Sequence, residues 1–400
     1  MNVYIRQLAR ELADRGVAVD VYTRRADAAT PAVQEDVPGF RTIALSVGPE
    51  EPVGRDALYD LVPEFAEAVD TYRRRERLEY DVLHSHYWLS GLAARLLSEM
   101  WGTPWAHMSH TLAVLKDAHR GPHQELESPL RVRSEDEVLH AADAVVASNE
   151  IEREELVRRY GLDASRIHVA PCGVDLSIFH PGSRSASRER LGIRREEKVV
   201  LYVGRIEPLK GLDTLLRAAA ILKQRTQGVR VLLVGGTTAP GDRATDHEVE
   251  RLRALSTQLG VDDIVRFYGP VPQAGLPDLY RAADVSVVPS RYESFGMAAL
   301  EALACGTPVV ASRTGGLQST VRDGRNGYLA PIGDETAFAH SIETVLCRPH
   351  LAARLAEEAA RTARRYSWQR VADANLGVYH NLLAPERMEI PLEVGVDLSL

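Results

Sequence analysis

The chain has 400 residues, a formal net charge of −8 and three cysteines, Cys172, Cys305 and Cys347. That length fits two domains, the acidic balance argues against general nucleic-acid binding, and the odd, scattered cysteines give neither a disulfide framework nor a metal spacing. No stretch reaches the ~20 apolar residues of a membrane span, and Arg6, Arg10, Glu11 and Asp14 interrupt the start too early for a signal peptide, so the expected location is the cytoplasm.

Ile5, Leu8, Ala9 and Leu12 recur at helical spacing and predict an amphipathic first helix that ends at Gly16. Val17, Val19 and Val21 alternate as a strand. Further strands are expected at 40–47, 82–84, 104–108, 144–147 and 167–170, with helices at 58–78, 88–100, 128–141 and, capped by Asn149, 150–160. The stretch 180–195 carries Pro181, Gly182 and many arginines with little apolar content, and reads as a linker. A second series follows. Strands are expected at 198–203, 229–234, 264–267, 284–288 and 308–311, and helices at 211–223 and 246–259. Strands and helices alternating at this length predict parallel sheets covered by helices, an α/β class in both halves. The expected organisation is an N-terminal Rossmann-like domain over 1–179, the linker, a C-terminal Rossmann-like domain over 196–365, a terminal helix over 366–384 opened by Ser367, and a loose tail over 385–400.

A domain of this kind starts on a strand and a glycine turn that feeds the first helix, whereas this chain starts on the helix. Two or three missing core side chains of a central strand would each forfeit roughly 1.5–3 kcal/mol. That is a serious loss against a net stability of about 5–15 kcal/mol. The expectation is that the first strand is missing and that Met1 is an internal methionine of a longer protein.

The most informative run extends from Pro289 to Gly296 and on through Glu301 to Cys305-Gly306-Thr307-Pro308. Glu293 falls in a loop after an apolar strand, and Glu301 falls within a helix that begins near Gly296. Free first-turn N–H groups and the positive end of a helix dipole suit a diphosphate, and nearby carboxylates can accept hydrogen bonds from sugar hydroxyls. In Val203-Gly204-Arg205-Ile206-Glu207-Pro208-Leu209-Lys210-Gly211, two cations follow a strand and precede a helix, which again suits a diphosphate. A nucleotide sugar is the ligand this combination fits.

These residues, with Met1-Asn2-Val3-Tyr4, His84-Ser85-His86-Tyr87-Trp88-Leu89-Ser90-Gly91 and Ser109-His110-Thr111-Leu112, resemble the retaining GT-B glycosyltransferases of family GT4. Within that family the D-inositol-3-phosphate glycosyltransferases and sucrose-phosphate synthases are most similar. The resemblance runs from Met1 to about Leu383 and implies two Rossmann-like domains facing a cleft. It implies a hexosyl transfer with retention, from a nucleotide diphosphate sugar such as a UDP-sugar to a hydroxyl of a phosphorylated polyol or sugar, with no metal and no cofactor. Residue by residue, Arg205 and Lys210 would hold the diphosphate, Glu301 the ribose hydroxyls and Glu293 the donor sugar. Ser294 belongs to the same donor motif, the backbone of Phe295, Gly296 and Met297 would face phosphate and sugar oxygens, and His110 would lie beside the reacting carbon. The acceptor phosphate would meet Arg55, Tyr87, Thr111 and Arg131, where Arg55 stands in the place of the family's lysine. The terminal helix would return to brace the first domain. The family's glycine-glycine loop, which precedes the Met-Asn-Val-Tyr match, has no counterpart in the chain.

Other assignments stay open beside this one: a GT-B nucleotide-sugar epimerase, a non-catalytic nucleotide-sugar binder, and a lipid-acceptor transferase at a membrane surface. For the last, the only basic cluster noted is Arg73-Arg74-Arg75 with Arg77, which reads as a solvated face. A homodimer is compatible with the sequence. His84, His86, His107, His110, His119 and His123 lie close in sequence, but no carboxylate or cysteine completes a metal set. Gly235-Gly236 and Gly315-Gly316 read as turns, the second lining the donor pocket.

Overall fold

The computed structural model describes residues 1–120, 125–236, 243–383 and 393–399, with the backbone alone at 55, 243–244 and 393–399. The chain divides into two compact units. The first comprises Met1–Ala118, Leu126–Cys172 and Trp368–Leu400, and the second His119–Glu125 and Gly173–Ser367.

In chain order the strands are β1 (Ala18–Arg24), β2 (Val33–Val37), β3 (Phe40–Leu45), β4 (Val82–His86), β5 (Trp105–Met108), β6 (Ala144–Ala147), β7 (Ile167–Val169), β8 (Lys198–Val203), β9 (Val229–Val234), β10 (Val265–Gly269), β11 (Val285–Val288), β12 (Val309–Ser312), β13 (Gly327–Ala330) and β14 (Glu393–Ser399). The first unit holds an eight-stranded sheet in the order β2-β3-β1-β14-β4-β5-β6-β7. Only the β2–β3 pair is antiparallel. β2 is exposed, acidic and at the edge of the sheet, and the sequence reading missed it because it carries no buried stripe.

The second unit holds a six-stranded, all-parallel sheet in the order β10-β9-β8-β11-β12-β13. Its central strands are apolar on both faces, with Val199, Val200, Leu201 and Tyr202 in β8 and Val285, Val287 and Val288 in β11 all buried. Helices on both faces of a parallel sheet require such runs. In this order the chain reverses direction of travel between β8 and β11. Open α/β sheets bind ligands at that switch point, outside the carboxyl ends of the strands. Residues 204–211 leave β8 there, and residues 289–296 leave β11 there.

Two expectations are corrected. The stretch 180–195 contains a helix, Arg184–Leu191, whose first turn is capped by Ser183 accepting from the Ala186 N–H. Its arginines suggested solvent, yet Arg188 is buried, donating to the Ala282 carbonyl at 3.0 Å and to Asp284 at 2.7 Å. The tail is not loose throughout, because β14 lies parallel between β1 and β4 in the centre of the first sheet. It takes the slot that the sequence reading left vacant. The rest of that tail, 385–392 and 400, lies outside the described residues.

Within the first unit, the terminal helix Trp368–Leu382 packs on the opening helix Asn2–Ala13. Asn375 donates to the Tyr4 hydroxyl at 3.2 Å, Trp368 meets the Tyr4 ring edge-on at 5.5 Å, and Arg15 pairs with Asp373 at 3.0 Å.

Candidate active site

In the second unit, the site grows from the two loops at the β8–β11 switch point. The helix Met297–Ala304 has an Ala- and Leu-rich sequence with high helix propensity. Gly296 starts it at φ +88°, in the left-handed region where glycine carries no steric penalty. No side chain caps its first turn, so the leading N–H groups remain available to an anion. The Gly315-Gly316 turn runs against this loop. The Gly316 N–H donates to the Glu293 carbonyl at 2.9 Å, and a Cβ on Gly315 would stand 2.1 Å from that carbonyl oxygen. Only glycine admits so close an approach.

Lys210 and Glu293 meet directly, with Nζ donating to Oε2 at 2.7 Å. Both side chains are mostly enclosed, 15% and 20% exposed. Arg205 does not join them by a contact. Its side chain is 72% exposed and pairs with Glu207 at 3.1 Å. Tyr202 ties these groups into one neighbourhood: its hydroxyl donates to the Arg205 carbonyl at 2.6 Å. Its phenol is pushed well up by burial and then by the charges of Glu293 and Glu207. Glu301 is held separately by the Tyr280 hydroxyl at 2.9 Å, and burial raises its carboxyl to about 7. Phe295 is buried against the Tyr366 ring, centroids 5.9 Å apart, so only its backbone can face a ligand. Ser294 and Met297 are half-buried beside it.

Sequence reasoning missed Tyr202, Glu207 and Tyr280. Glu207 stood inside the Arg205–Lys210 run and was legible as a partner by proximity. Tyr280 is far from Glu301 in sequence and carried no signal.

The first unit assembles its own set at the carboxyl ends of β4 and β5. Tyr87 follows β4 at φ +81° and His110 follows β5 at φ +58°. Non-glycine residues seldom occupy that region, and such outliers concentrate at functional sites. Thr111 Oγ1 accepts from Arg131 at 3.1 Å, and the Arg131 guanidinium lies 5.1 Å over the Tyr87 ring. Tyr87, Thr111 and Arg131 therefore form one cluster. Arg131 is buried rather than solvated, and it is already paired with Glu127 at 2.7 Å and Glu135 at 3.5 Å. The side chain of Arg55 lies outside the described residues.

Behind this cluster the histidines stack. His110 Nε2 lies 2.9 Å from His86 Nδ1, and His84 Nδ1 lies 2.8 Å from the Tyr379 hydroxyl. Burial lowers His84 and His107 to about 3. Burial holds His86 and His110 well below the ordinary value. These rings are neutral at physiological pH. Among the described residues no group of three or more histidines, cysteines or acids is placed to hold a metal ion, and no helix is long and apolar enough to cross a membrane.

Residues 183–362 match the family described as glycosyl transferases group 1, and residues 1–173 match the glycosyl transferase 4-like domain. The D-inositol 3-phosphate glycosyltransferase of Acidothermus cellulolyticus is 44% identical across 97% of this chain and 86% of that protein. The enzyme of the same name from Saccharomonospora viridis is 41% identical across 99% of this chain and 92% of its own. Among solved structures, the sucrose-phosphate synthase of Thermosynechococcus elongatus superposes with a TM-score of 0.87 at 34% identity, covering 95% of this chain and 93% of that one.

Proposed function

The chain belongs to the group 1 glycosyltransferases, with the GT-B fold, and from that membership we propose that it moves a hexosyl unit from a nucleotide diphosphate sugar, with UDP as the carrier, to a hydroxyl of a phosphorylated polyol or sugar. The observation that carries the reading is the enclosed Lys210–Glu293 pair beside an uncapped helix start. Lys210 spends one N–H on Glu293 and retains two for a diphosphate oxygen. Arg205 is exposed and free to swing from Glu207 to the same phosphates. Glu293 has a second oxygen for sugar hydroxyls, and Glu301 suits the ribose.

In this reading the bond between the anomeric carbon and the diphosphate oxygen breaks as negative charge grows on the leaving group. Lys210, Arg205 and the Gly296–Met297 backbone stabilise that charge, and fixed donors aimed at developing charge are the strongest single lever available. The acceptor oxygen bonds to the same face of the anomeric carbon, and its proton passes to the departing diphosphate oxygen. Neutral His110 offers a hydrogen bond to the donor sugar. The acceptor phosphate is assigned to Tyr87, Thr111, Arg131 and Arg55. Its class is supported by the two D-inositol 3-phosphate glycosyltransferases, each more than 40% identical to this chain.

The test is UDP release from UDP-glucose and UDP-N-acetylglucosamine with and without inositol phosphate or a hexose phosphate. The expected result is release that depends on a phosphorylated acceptor, with a glycosylated product by mass spectrometry. Release without any acceptor would favour an epimerase, and UDP binding with no turnover on any acceptor would favour a non-catalytic binder.

A further inference from the structure

At the other end of the second sheet, where the strands begin, lies a cavity of ≈ 490 Å³. It is a groove open to solvent on the second unit, bordered by Pro181, Gly182, the turn Cys305-Gly306-Thr307 and the end of the helix Pro349–Ala363. Four guanidinium groups line it, Arg184, Arg281, Arg361 and Arg364, against one carboxylate, Glu357. This concentration of cations stands out in a chain whose net charge is −8.

The four arginines are not equally engaged. Arg364 forms no ion pair among the described residues. Arg281 is spread over backbone carbonyls, donating to His180 at 2.8 Å and Ile178 at 3.5 Å, with Asp278 no nearer than 3.9 Å. Arg184 pairs with Asp284 at 2.9 Å, and Arg361 with Glu357 at 2.9 Å and Glu358 at 3.1 Å, but a guanidinium has five donors and each keeps several in hand. Arginine forks match the oxygens of a phosphate group, and such charge-assisted bonds are the strong ones. Cys305 contributes no competing charge, because burial pushes its thiol up to about 12.

The cavity is also wired to the donor side. The helix Met297–Ala304 spans about 12 Å from one end to the other, with Glu301 inside it and Cys305-Gly306-Thr307 at its exit. Thr307 Oγ1 donates to the Tyr280 carbonyl at 2.6 Å, and the Tyr280 hydroxyl donates to Glu301 at 2.9 Å. Arg281, next to Tyr280 in the chain, is a wall of the cavity.

We propose that this cavity is a second anion site that takes a phosphate-bearing small molecule and is coupled through Tyr280 to Glu301. The coupling rests on the donor assignment above, and the binding does not. An anion that draws on Arg281 and Thr307 acts on the two neighbours of the Tyr280 backbone, and linkage requires that UDP and the anion then alter each other's affinity by the same factor.

Calorimetry of the full chain with inorganic phosphate and with glucose 6-phosphate, each with and without UDP, tests this. The comparison proteins are the exposed double variant Arg361→Ala/Arg364→Ala and the single variant Arg364→Glu, which touch neither core nor donor residues. Phosphate affinity should fall at least fivefold in both, and the UDP Kd should shift at least twofold with phosphate in the parent protein only. Tighter binding of glucose 6-phosphate than of phosphate would assign a phosphorylated metabolite, and equal binding would assign the phosphoryl group itself; either supports the site. Unchanged phosphate affinity in both variants would overturn the site. A UDP shift that persists in the variants would mean competition at the donor site and would overturn the coupling. Failure of UDP to bind at all would sink the donor assignment while leaving the phosphate comparison intact.

Discussion

The Tyr280 hydroxyl donates to Glu301 Oε2 at 2.9 Å, and this contact opposes burial, which lifts the carboxyl to about 7. Near neutral pH Glu301 is therefore divided between its two forms. Ribose hydroxyls donating to it favour the carboxylate, so UDP binding should expel a proton below pH 7. Calorimetry at pH 6.5 in two buffers of different ionisation heat reads that proton directly. Tyr280→Phe removes a hydrogen bond to a charged group, typically ~1.5–3 kcal/mol, and should weaken UDP about tenfold or more while moving the pH dependence upward. Buffer-independent heats would show that Glu301 does not ionise on binding.

Lys210→Ala should cost turnover far more than donor affinity, because the ammonium works hardest when charge collects on the leaving diphosphate. Loss of one such donor typically costs ~10²–10³ in kcat. Glu293→Gln keeps the shape but removes the pair, and the double variant should be less than additive, since the two side chains are in contact. Steady-state UDP release on the four proteins of the cycle decides it. A Lys210→Ala enzyme with kcat within threefold of the parent would remove the charge from the mechanism.

The alternation of strands and helices was legible because buried parallel strands need apolar runs, and Val285–Val288 and Val229–Val234 are such runs. The donor motif was legible for a related reason: a helix start, two acids and two cations are local in sequence. What escaped was long-range. Tyr280 reaches Glu301 only once the helix Leu276–Ala282 packs beside Met297–Ala304. Arg188 reads as solvent until Asp284 is brought to it. The tail did carry a signal, since Val394, Val396 and Leu398 alternate, but nothing local says that such a strand belongs between β1 and β4, which lie far upstream in the chain.

The neutral histidines give the first unit an acid limit. His84, His86, His107 and His110 all have folded values depressed below 6.5. Their contribution is complete above the unfolded value and is lost as pH falls below it, by up to about 1.4 kcal/mol per pH unit for each. Glu135 and Glu152 in the same unit, raised by burial, oppose this above the unfolded carboxyl value, because they gain stability as pH falls. Below pH 4.5 that opposition is exhausted. Denaturant unfolding from pH 8 to pH 3.5 should therefore show a decline that begins below about pH 6.5 and steepens beneath about pH 4.5. His84→Asn should flatten the steep limb, and an unaltered slope in that variant would place its titration elsewhere.

The strand Glu393–Ser399 sets the last prediction. It pairs with β1 at Ala18, Val19, Asp20, Tyr22 and Thr23, and with β4 at Val82, Leu83 and His84. Val19, Val82 and Leu83 are buried, so a chain ending at residue 392 leaves their outward backbone groups without partners in an apolar setting. Each such group costs ~1–3 kcal/mol, and several together rival a typical net stability of about 5–15 kcal/mol. The shortened chain should not hold a native first unit, and Val396→Pro, which puts a residue with no N–H in the middle of a central strand, should lower the melting temperature sharply. Hydrogen exchange on the full chain is the decisive measurement. Amides of 393–399 should be protected together with those of β1 and β4, and exchange at the rate of an unstructured peptide over 393–399 would show that the strand does not occupy the sheet.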